Sequence, residues 1–104
     1  MFARVTTFQN QPGRLDDGVR IFRDDVLPWV REATGFRGSL ILLDRESART
    51  VAISFWATAD AAGDEAASGS NMRERVAAAV EADIEGAAIY EVAVVESLAV
   101  DDDG

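Results

Sequence analysis

The sequence lacks the residue types on which several classes of active site depend. Its 104 residues include no cysteine and no histidine, and all 10 basic residues are arginines. These absences exclude disulfides, thiol nucleophiles, Schiff-base lysines, Ser-His-Asp triads and the imidazole ligands usual for zinc and haem. We therefore expect no metal site and no cofactor. The lack of lysine also fits codon bias in a GC-rich genome, which is the simpler explanation for that residue.

Positive charge and long apolar runs are scarce as well. The formal net charge is −9, whereas nucleic acids and anionic membranes bind cationic surfaces, so we expect neither as a partner. No apolar run reaches the roughly 18 residues that a membrane span needs, and the N-terminus has no signal-peptide pattern. We expect a cytoplasmic protein with one domain at residues 1–100 and a disordered acidic tail at 101–104.

The first third of the chain predicts a strand and an interrupted helix. Residues 2–8 are rich in β-branched and aromatic side chains and are followed by a Pro-Gly turn signal. Apolar residues then recur every three or four positions up to residue 30, and Asp16 is the expected N-cap. Because proline has no amide hydrogen, the helix should kink at Pro28 or restart with Pro28 in a first turn. Gly35 should end it as a left-handed cap.

A β-hairpin over residues 35–56 is the element around which the rest of the chain is arranged. It has strands at 39–43 and 50–56, and both faces of these strands are largely apolar. A sheet covered by helices on one face only should instead alternate apolar and polar residues. Each large side chain left in water forfeits about 1.5–3 kcal/mol. We therefore expect a homodimer in which a second copy covers the second sheet face.

The second half of the chain predicts two helices and a last strand. Residues 58–70 favour a short, weakly held helix, and Asn71 with Glu74 has the spacing of a capping box. A second full helix is expected from there to Gly86, followed by a strand at 87–95. The apolar stripe of that helix is Met72, Val76, Val80 and Ile84. The order β-α-β-β-α-β predicts an α+β, ferredoxin-like antiparallel sheet with both helices on one face.

Five segments together carry a resemblance to a known family. They are residues 4–6, 26–28, 35–38, 42–44 and 53–56, the last followed by small and acidic residues. In this combination the chain resembles the antibiotic biosynthesis monooxygenase-like domain of the dimeric α/β barrel superfamily. Many members carry proline before the Gly-Phe pair, where this chain has Thr34, a change that affects only the turn.

The resemblance implies three candidate functions. Haem-degrading members use an Asn on the first strand and a Trp and a His in the second helical region. This chain has Thr6 on its first strand, no Trp after Trp56 and no His, so we do not expect haem degradation. Cofactor-free monooxygenases of the group oxidise polycyclic phenols, which needs an apolar pocket and donors that stabilise a developing phenolate. The third candidate is a non-catalytic dimer, structural or holding a small apolar ligand in the same cleft.

Six side chains are candidates for substrate binding in the space between sheet and helices, and no catalytic residue can be assigned. They are Arg4, Thr6, Trp56, Asn71, Arg73 and Tyr90. Five of them also have a purely structural explanation. Arg4 would pair with Glu91, Trp56 would belong to the core, Asn71 would cap a helix, Arg73 would lie on a helix surface, and Tyr90 would direct its hydroxyl to water.

Overall fold

Four strands form a single sheet in the computed structural model, which describes residues 1–68, 77–78 and 82–96. The strands are β1 (Phe2–Gln9), β2 (Phe36–Asp44), β3 (Arg49–Trp56) and β4 (Asp83–Glu91). They lie in the order β2-β3-β1-β4, and each neighbouring pair is antiparallel. This arrangement confirms the ferredoxin-like sheet that the sequence predicts.

The last strand begins and ends earlier than the sequence predicts. Residues 83–86 belong to β4, so the prediction of a helix up to Gly86 is wrong at that end. The strand predicted at 87–95 is confirmed for residues 87–91 and wrong for 92–95. Ile84 pairs with Phe8 of β1, and the register shift beside this pair leaves Glu85 as a bulge. A four-residue spacing of single apolar residues fits a helix and a strand equally well at such a boundary. Residues 77 and 78 are helical, whereas 69–76, 79–81 and 97–104, including the predicted tail, lie outside the described residues.

The first helix is interrupted before Pro28, as predicted. It consists of α1 (Leu15–Ile21), a π-helical segment (Phe22–Val26) and α2 (Leu27–Val30), with the proline in the first turn of α2. Because Pro28 has no N–H for the carbonyl four residues earlier, the preceding turn widens into a π-helix. None of the helices in the described ranges is long and apolar enough to cross a membrane.

The two ends of this helix differ from the prediction. Arg14 occupies the N-cap position without a side-chain cap bond. Asp16 lies in the first turn, where its carboxylate binds Arg45 of the hairpin turn instead of capping. At the other end α2 stops at Val30, and Gly35, with a φ of 85°, occupies the turn into β2 instead of the helix cap.

The core gathers around Trp56 at the end of β3. Its side chain is 0% exposed and packs against Val30 and Ala62. The ring of Phe36 meets the indole edge-to-face, with centroids 5.5 Å apart and planes at 72°. Ala62 belongs to α3 (Ala59–Ser68), the short helix expected after β3. This cluster fixes α2 and α3 against the same face of the sheet.

The two faces of the sheet have different surroundings. Alternation along the strands puts Arg4, Thr6, Ser54 and Trp56 on the face covered by the helices. The other face carries mostly apolar side chains, among which Leu42 is 48% and Tyr90 57% exposed. Its members include Leu40, Leu42, Val5, Val51, Phe55 and Tyr90. The doubly apolar strands noted in the sequence thus correspond to one helix-covered face and one face without a helix from the described residues.

Candidate functional site

A cavity of about 80 Å³ lies between the helix-covered face of the sheet and the first helix. Side chains from α1, the π segment and α2 form its roof, and residues of β1, β2 and β3 form its floor. The roof residues are Gly18, Val19, Phe22, Val26 and Val30. Among the described residues, Ala77 and Ala82 also line the wall. The roof is apolar throughout, and it lies on the helix stripe that the sequence predicts.

The floor of the cavity consists of rows of side chains from neighbouring strands. Strand pairing places Ser39, Ser54 and Arg4 side by side in one row. The next row contains Ile41, Ala52 and Thr6, and the third contains Thr50 and Phe8. Asn10 lies beyond the third row. The floor is therefore polar at both ends, with a largely apolar centre that includes one hydroxyl, that of Thr6.

At the polar end formed by Ser39, Ser54 and Arg4, both hydroxyls form hydrogen bonds with neighbouring groups. The indole Nε1 of Trp56 donates a hydrogen bond to Oγ of Ser54 at 2.9 Å. Ser39 donates its hydroxyl proton to the carbonyl oxygen of Ile53 at 3.0 Å. Arg4 is only 8% exposed and brings a positive charge to this row. Among the lining residues within the described ranges, it is the single charged side chain.

At the second polar end, an amide joins β1 to the hairpin turn. Asn10, 6% exposed, donates from Nδ2 to Oγ1 of Thr50 at 2.8 Å and to the carbonyl of Ala48 at 3.2 Å. Gln9 reaches the same turn, where its Nε2 donates to the carbonyl of Ser47 at 2.9 Å. Ala48 itself has a φ of 59°, a backbone conformation that side-chain-bearing residues adopt uncommonly. These hydrogen bonds hold the turn, so this end of the cavity is primarily structural.

The structure brings two of the six predicted site residues to the cavity. Arg4 and Thr6, the latter 3% exposed, both line its floor. Trp56 lies behind the wall and is connected to the cavity through Ser54. Tyr90 pairs with Ala3 and so belongs to the opposite sheet face. Asn71 and Arg73 lie outside the described residues.

Arg4 has a different neighbour from the one considered in the sequence. The register of β1 with β4 places Ile89 beside Arg4 and sets Glu91 opposite Phe2. Ile89 rather than Glu91 lies opposite Arg4 because β4 begins and ends earlier than the sequence predicts.

Sequence reasoning missed Ser54 and Asn10, although a signal for both was present. Ser54 precedes Trp56 by two positions, and Asn10 follows Thr6 by four, so alternation puts each on the face of a residue already considered for the site. Strand alternation extended along β3 and β1 would have included them. Ser39 and Thr50 then follow from the register of the hairpin.

The ion pairs recorded between described residues lie on the surface, outside the cavity. Arg45 binds Asp16 through two hydrogen bonds of 3.0 and 3.2 Å, which lower the pKa of the Asp16 carboxyl. Arg49 binds Glu85 at 2.9 Å and lowers the pKa of that carboxyl in the same way. The first pair ties α1 to the hairpin turn, and the second links β3 to the bulge of β4. In the described ranges, no cluster of three or more acidic, Cys or His side chains could hold a metal ion.

Comparison with known sequences gives relatives of uncharacterised function. No family model matches the chain. The uncharacterised proteins Rv2558 and Rv2557 of Mycobacterium tuberculosis are each 41% identical to it over 61 residues, or 59% of this chain. The chain spans only about a quarter of the length of these relatives, 26% and 27% respectively.

Comparison with solved structures confirms the fold. A proposed antibiotic biosynthesis monooxygenase of Deinococcus radiodurans matches 96% of this chain and all of its own, with a TM-score of 0.70 at 14% identity. A monooxygenase from the gene ActVA-Orf6 of Streptomyces coelicolor, solved with the ligand nanaomycin D, matches 92% of both chains with a TM-score of 0.68 at 20% identity. Rv0793 of Mycobacterium tuberculosis matches 94% of this chain and 98% of its own, with a TM-score of 0.60 at 17% identity. The resemblance to antibiotic biosynthesis monooxygenase-like domains is therefore confirmed at the level of the fold.

Proposed function

We propose that the protein binds a small phenolic molecule in the cavity between the sheet and the first helix, and that it oxygenates this molecule without a cofactor. The observation that carries the proposal is the cavity itself, an apolar space with a polar row at one end of its floor. Ligand sites in proteins typically combine these two features. The Streptomyces coelicolor monooxygenase of the same fold, solved with nanaomycin D, supports the choice of activity.

In such a reaction one phenol and one dioxygen give one quinone and one water, so the substrate itself supplies all the electrons that reduce dioxygen, after its phenolic proton has passed to solvent water. A positive charge near a phenol favours the ionised form, and Arg4 supplies that charge at the floor of the cavity. The roof of Val19, Phe22 and Val26 limits the access of water to the ring. The role of the protein is thus to ionise, orient and shield the substrate.

The size of the cavity restricts the ligand. At about 80 Å³ it exceeds the 10–15 Å³ or so that one water molecule needs, but it is well below the roughly 300 Å³ of typical pockets for larger ligands. We therefore favour a phenol with a single ring over the polycyclic substrates implied by the sequence resemblance.

A non-catalytic ligand-binding protein is the alternative. It is favoured by the lining, which has no carboxylate and no imidazole among the described residues to act as a general base. Oxygen consumption separates the two functions, because a binding protein saturated with phenol takes up no dioxygen.

The decisive experiment is calorimetric titration of the protein with phenol, followed by measurement of oxygen uptake. Ala77 is buried and lines the cavity, whereas its neighbour Ala78 is exposed. Ala77→Leu should fill the cavity and abolish binding, and Ala78→Leu, the matched control, should bind phenol as the unaltered protein does. Equal binding by the two variants, or no binding by the unaltered protein, would reject the site.

We also infer that two copies of the chain associate through the sheet face opposite the cavity. Leu42 and Tyr90 expose about half of their surface there, beside the other apolar side chains of that face. Contiguous apolar surface of this kind marks an interaction site in proteins that function in water. A second copy offers an identical face, so association about a two-fold axis covers both faces at once.

A further inference from the structure

We infer that Ser54 selects the ligand, because its hydroxyl donates a hydrogen bond to an oxygen atom on an aromatic ring in the cavity, and that Trp56 fixes this direction from behind the cavity wall. The inference rests on the proposed function, since it takes an aromatic ligand to occupy the cavity. It adds a requirement that the cavity alone does not impose: the ring must carry an acceptor oxygen.

The direction of the Ser54 hydroxyl follows from the chemistry of its neighbour. The distance from Nε1 of Trp56 to Oγ of Ser54 is 2.9 Å. An indole N–H can only donate, whereas a hydroxyl has one proton and two lone pairs. Ser54 must therefore accept in this hydrogen bond, and its own proton points elsewhere.

The cavity is the direction that remains for this proton. Ser39, the cross-strand neighbour of Ser54, donates its hydroxyl proton to the carbonyl of Ile53. Within the part of the chain that the structure describes, no group accepts a hydrogen bond from Ser54. Because Ser54 lines the cavity, a ligand oxygen at this end of the floor can take the proton.

The packing of Trp56 keeps this arrangement rigid. The indole is 0% exposed, it is held edge-to-face by Phe36, and it packs against Val30 and Ala62. Leaving a buried N–H without an acceptor costs free energy, so the indole keeps its hydrogen bond to Ser54 when a ligand enters. Trp56 is thus a positioning residue, and Ser54 is the group that touches the ligand.

The consequence is selectivity between rings of equal size. A site with a directed donor rejects an analogue that lacks the acceptor oxygen. Phenol and toluene differ in size by little but offer an oxygen and a methyl group respectively. We expect the protein to bind phenol about 3- to 10-fold more tightly than toluene, as for one ordinary hydrogen bond.

The test uses the two tryptophans of the chain as a signal and its internal control. In a proton–nitrogen NMR titration, phenol should move the indole N–H resonance of Trp56, because a hydrogen bond donated by Ser54 polarises the one that it accepts. The resonance of Trp29, which is 39% exposed and does not line the cavity, should stay in place. Toluene reports the effect of ring proximity alone and should move the Trp56 signal less.

Variants of Ser54 separate the hydrogen bond from the cavity. Ser54→Ala should lose the preference for phenol while keeping its affinity for toluene, and Ser54→Thr, which retains the hydroxyl, should restore the preference. Trp56→Phe should weaken the preference without removing toluene binding. If Trp56→Phe does not fold, the comparison of Ser54→Ala with Ser54→Thr and the NMR signal of Trp56 still test whether Ser54 selects the ligand.

The possible failures are distinguishable. If neither ring binds, the proposed function fails and this inference fails with it. If both rings bind with equal affinity, or if Ser54→Ala keeps the preference for phenol, the cavity is a ligand site but the role assigned to Ser54 is overturned.

Discussion

Gly35 lies so close to Ala61 that a side chain at position 35 has no room. A Cβ built on Gly35 would lie 2.9 Å from the Cβ of Ala61, closer than non-bonded carbon atoms approach in proteins. The same glycine has a φ of 85° and accepts a hydrogen bond from the backbone N–H of Ala57 at 2.8 Å. The backbone of the turn into β2 therefore packs directly against the start of α3, beside the core around Trp56.

We predict that Gly35→Ala destabilises the protein by about 2–5 kcal/mol. A left-handed backbone costs a residue with a Cβ about 1–2 kcal/mol, and forcing an atom into a packed site adds about 1–3 kcal/mol. The matched control is Gly13→Ala, because Gly13 has a φ of 83° and no atom lies within 4 Å of the added Cβ. This variant should lose only the stability that the left-handed backbone costs, about 1–2 kcal/mol. Urea unfolding of the two variants measures the difference, and equal losses would show that α3 does not press on Gly35.

The ion pair of Asp16 with Arg45 should make part of the stability depend on pH. The pKa of Asp16 is lowered from 3.8, first by the hydrogen bond from Arg45 and then by its charge. A carboxyl with a depressed folded-state pKa stabilises the fold above its unfolded pKa, and this contribution is lost as the pH falls through the folded value.

We therefore expect Arg45→Gln to be less stable than the unaltered protein at pH 7 and to approach it in stability as the pH falls below 3.8. Arg31→Gln, which removes the same charge from an exposed site at the end of α2, is the control for net charge. Unfolding curves of these proteins, recorded between neutral and acid pH, measure how the difference in stability changes with pH. A difference that stays constant down to acid pH would mean that the pair does not contribute through ionisation.

The ion pair of Asp16 also illustrates what sequence reasoning gets right and wrong. The strand order and the interrupted helix follow from local signals, namely alternation, periodicity and the missing amide of Pro28, which tertiary contacts do not override. The role of Asp16 depends on Arg45, which is distant in sequence and reaches it only once the hairpin has folded. No local pattern contains that information, and the sequence alone favours a cap at this position.

The boundary of β4 is not encoded locally, for a related reason. Ile84 continues a four-residue stripe, but its pairing with Phe8 of β1 decides its structure. At the site, alternation places Arg4 and Thr6 on the cavity floor, whereas the connection of Trp56 to the cavity through Ser54 depends on the orientation of one indole. Side-chain orientation of this kind is not encoded in the period of a strand.

We predict that the protein sediments as a dimer at micromolar concentration, at twice the chain mass of 11.2 kDa. Leu42→Glu should shift it to the monomer, because it places a charge on the apolar face, on the edge strand β2. Trp29→Glu adds the same charge at an exposed apolar residue of α2 and should leave the dimer intact. Sedimentation of an 11.2 kDa species alone would contradict the proposed association.

We predict no stoichiometric binding of haem. The sequence has no histidine and no cysteine to supply the axial ligand that haem proteins commonly use. Absorption spectra recorded after gel filtration of the protein with excess haem should lack a sharp Soret band, and a band that persists would contradict the prediction.

The final prediction separates the structural end of the cavity from the end that binds ligand. Asn10 lines the cavity, yet its amide is engaged with Thr50 and with the carbonyl of Ala48. Asn10→Ala should therefore destabilise the protein by about 1–3 kcal/mol, because the hydroxyl of Thr50 loses its donor. The carbonyl of Ala48 still accepts from the backbone N–H of residue 10 at 2.8 Å and from Nε2 of Gln9 at 3.2 Å. Thr50→Val, which removes only the acceptor hydroxyl, should cost less.

A double-mutant cycle over Asn10 and Thr50 should give a coupling of about 0.5–1.5 kcal/mol, the value of one neutral hydrogen bond. The stability of the hairpin turn should change in these variants, whereas the ratio of phenol to toluene affinity should not, because that ratio depends on Ser54 at the other end of the floor. If Asn10→Ala instead reduced the ratio as strongly as Ser54→Ala, the ligand oxygen would lie at the Asn10 end, and the two polar ends would have to exchange their assigned roles.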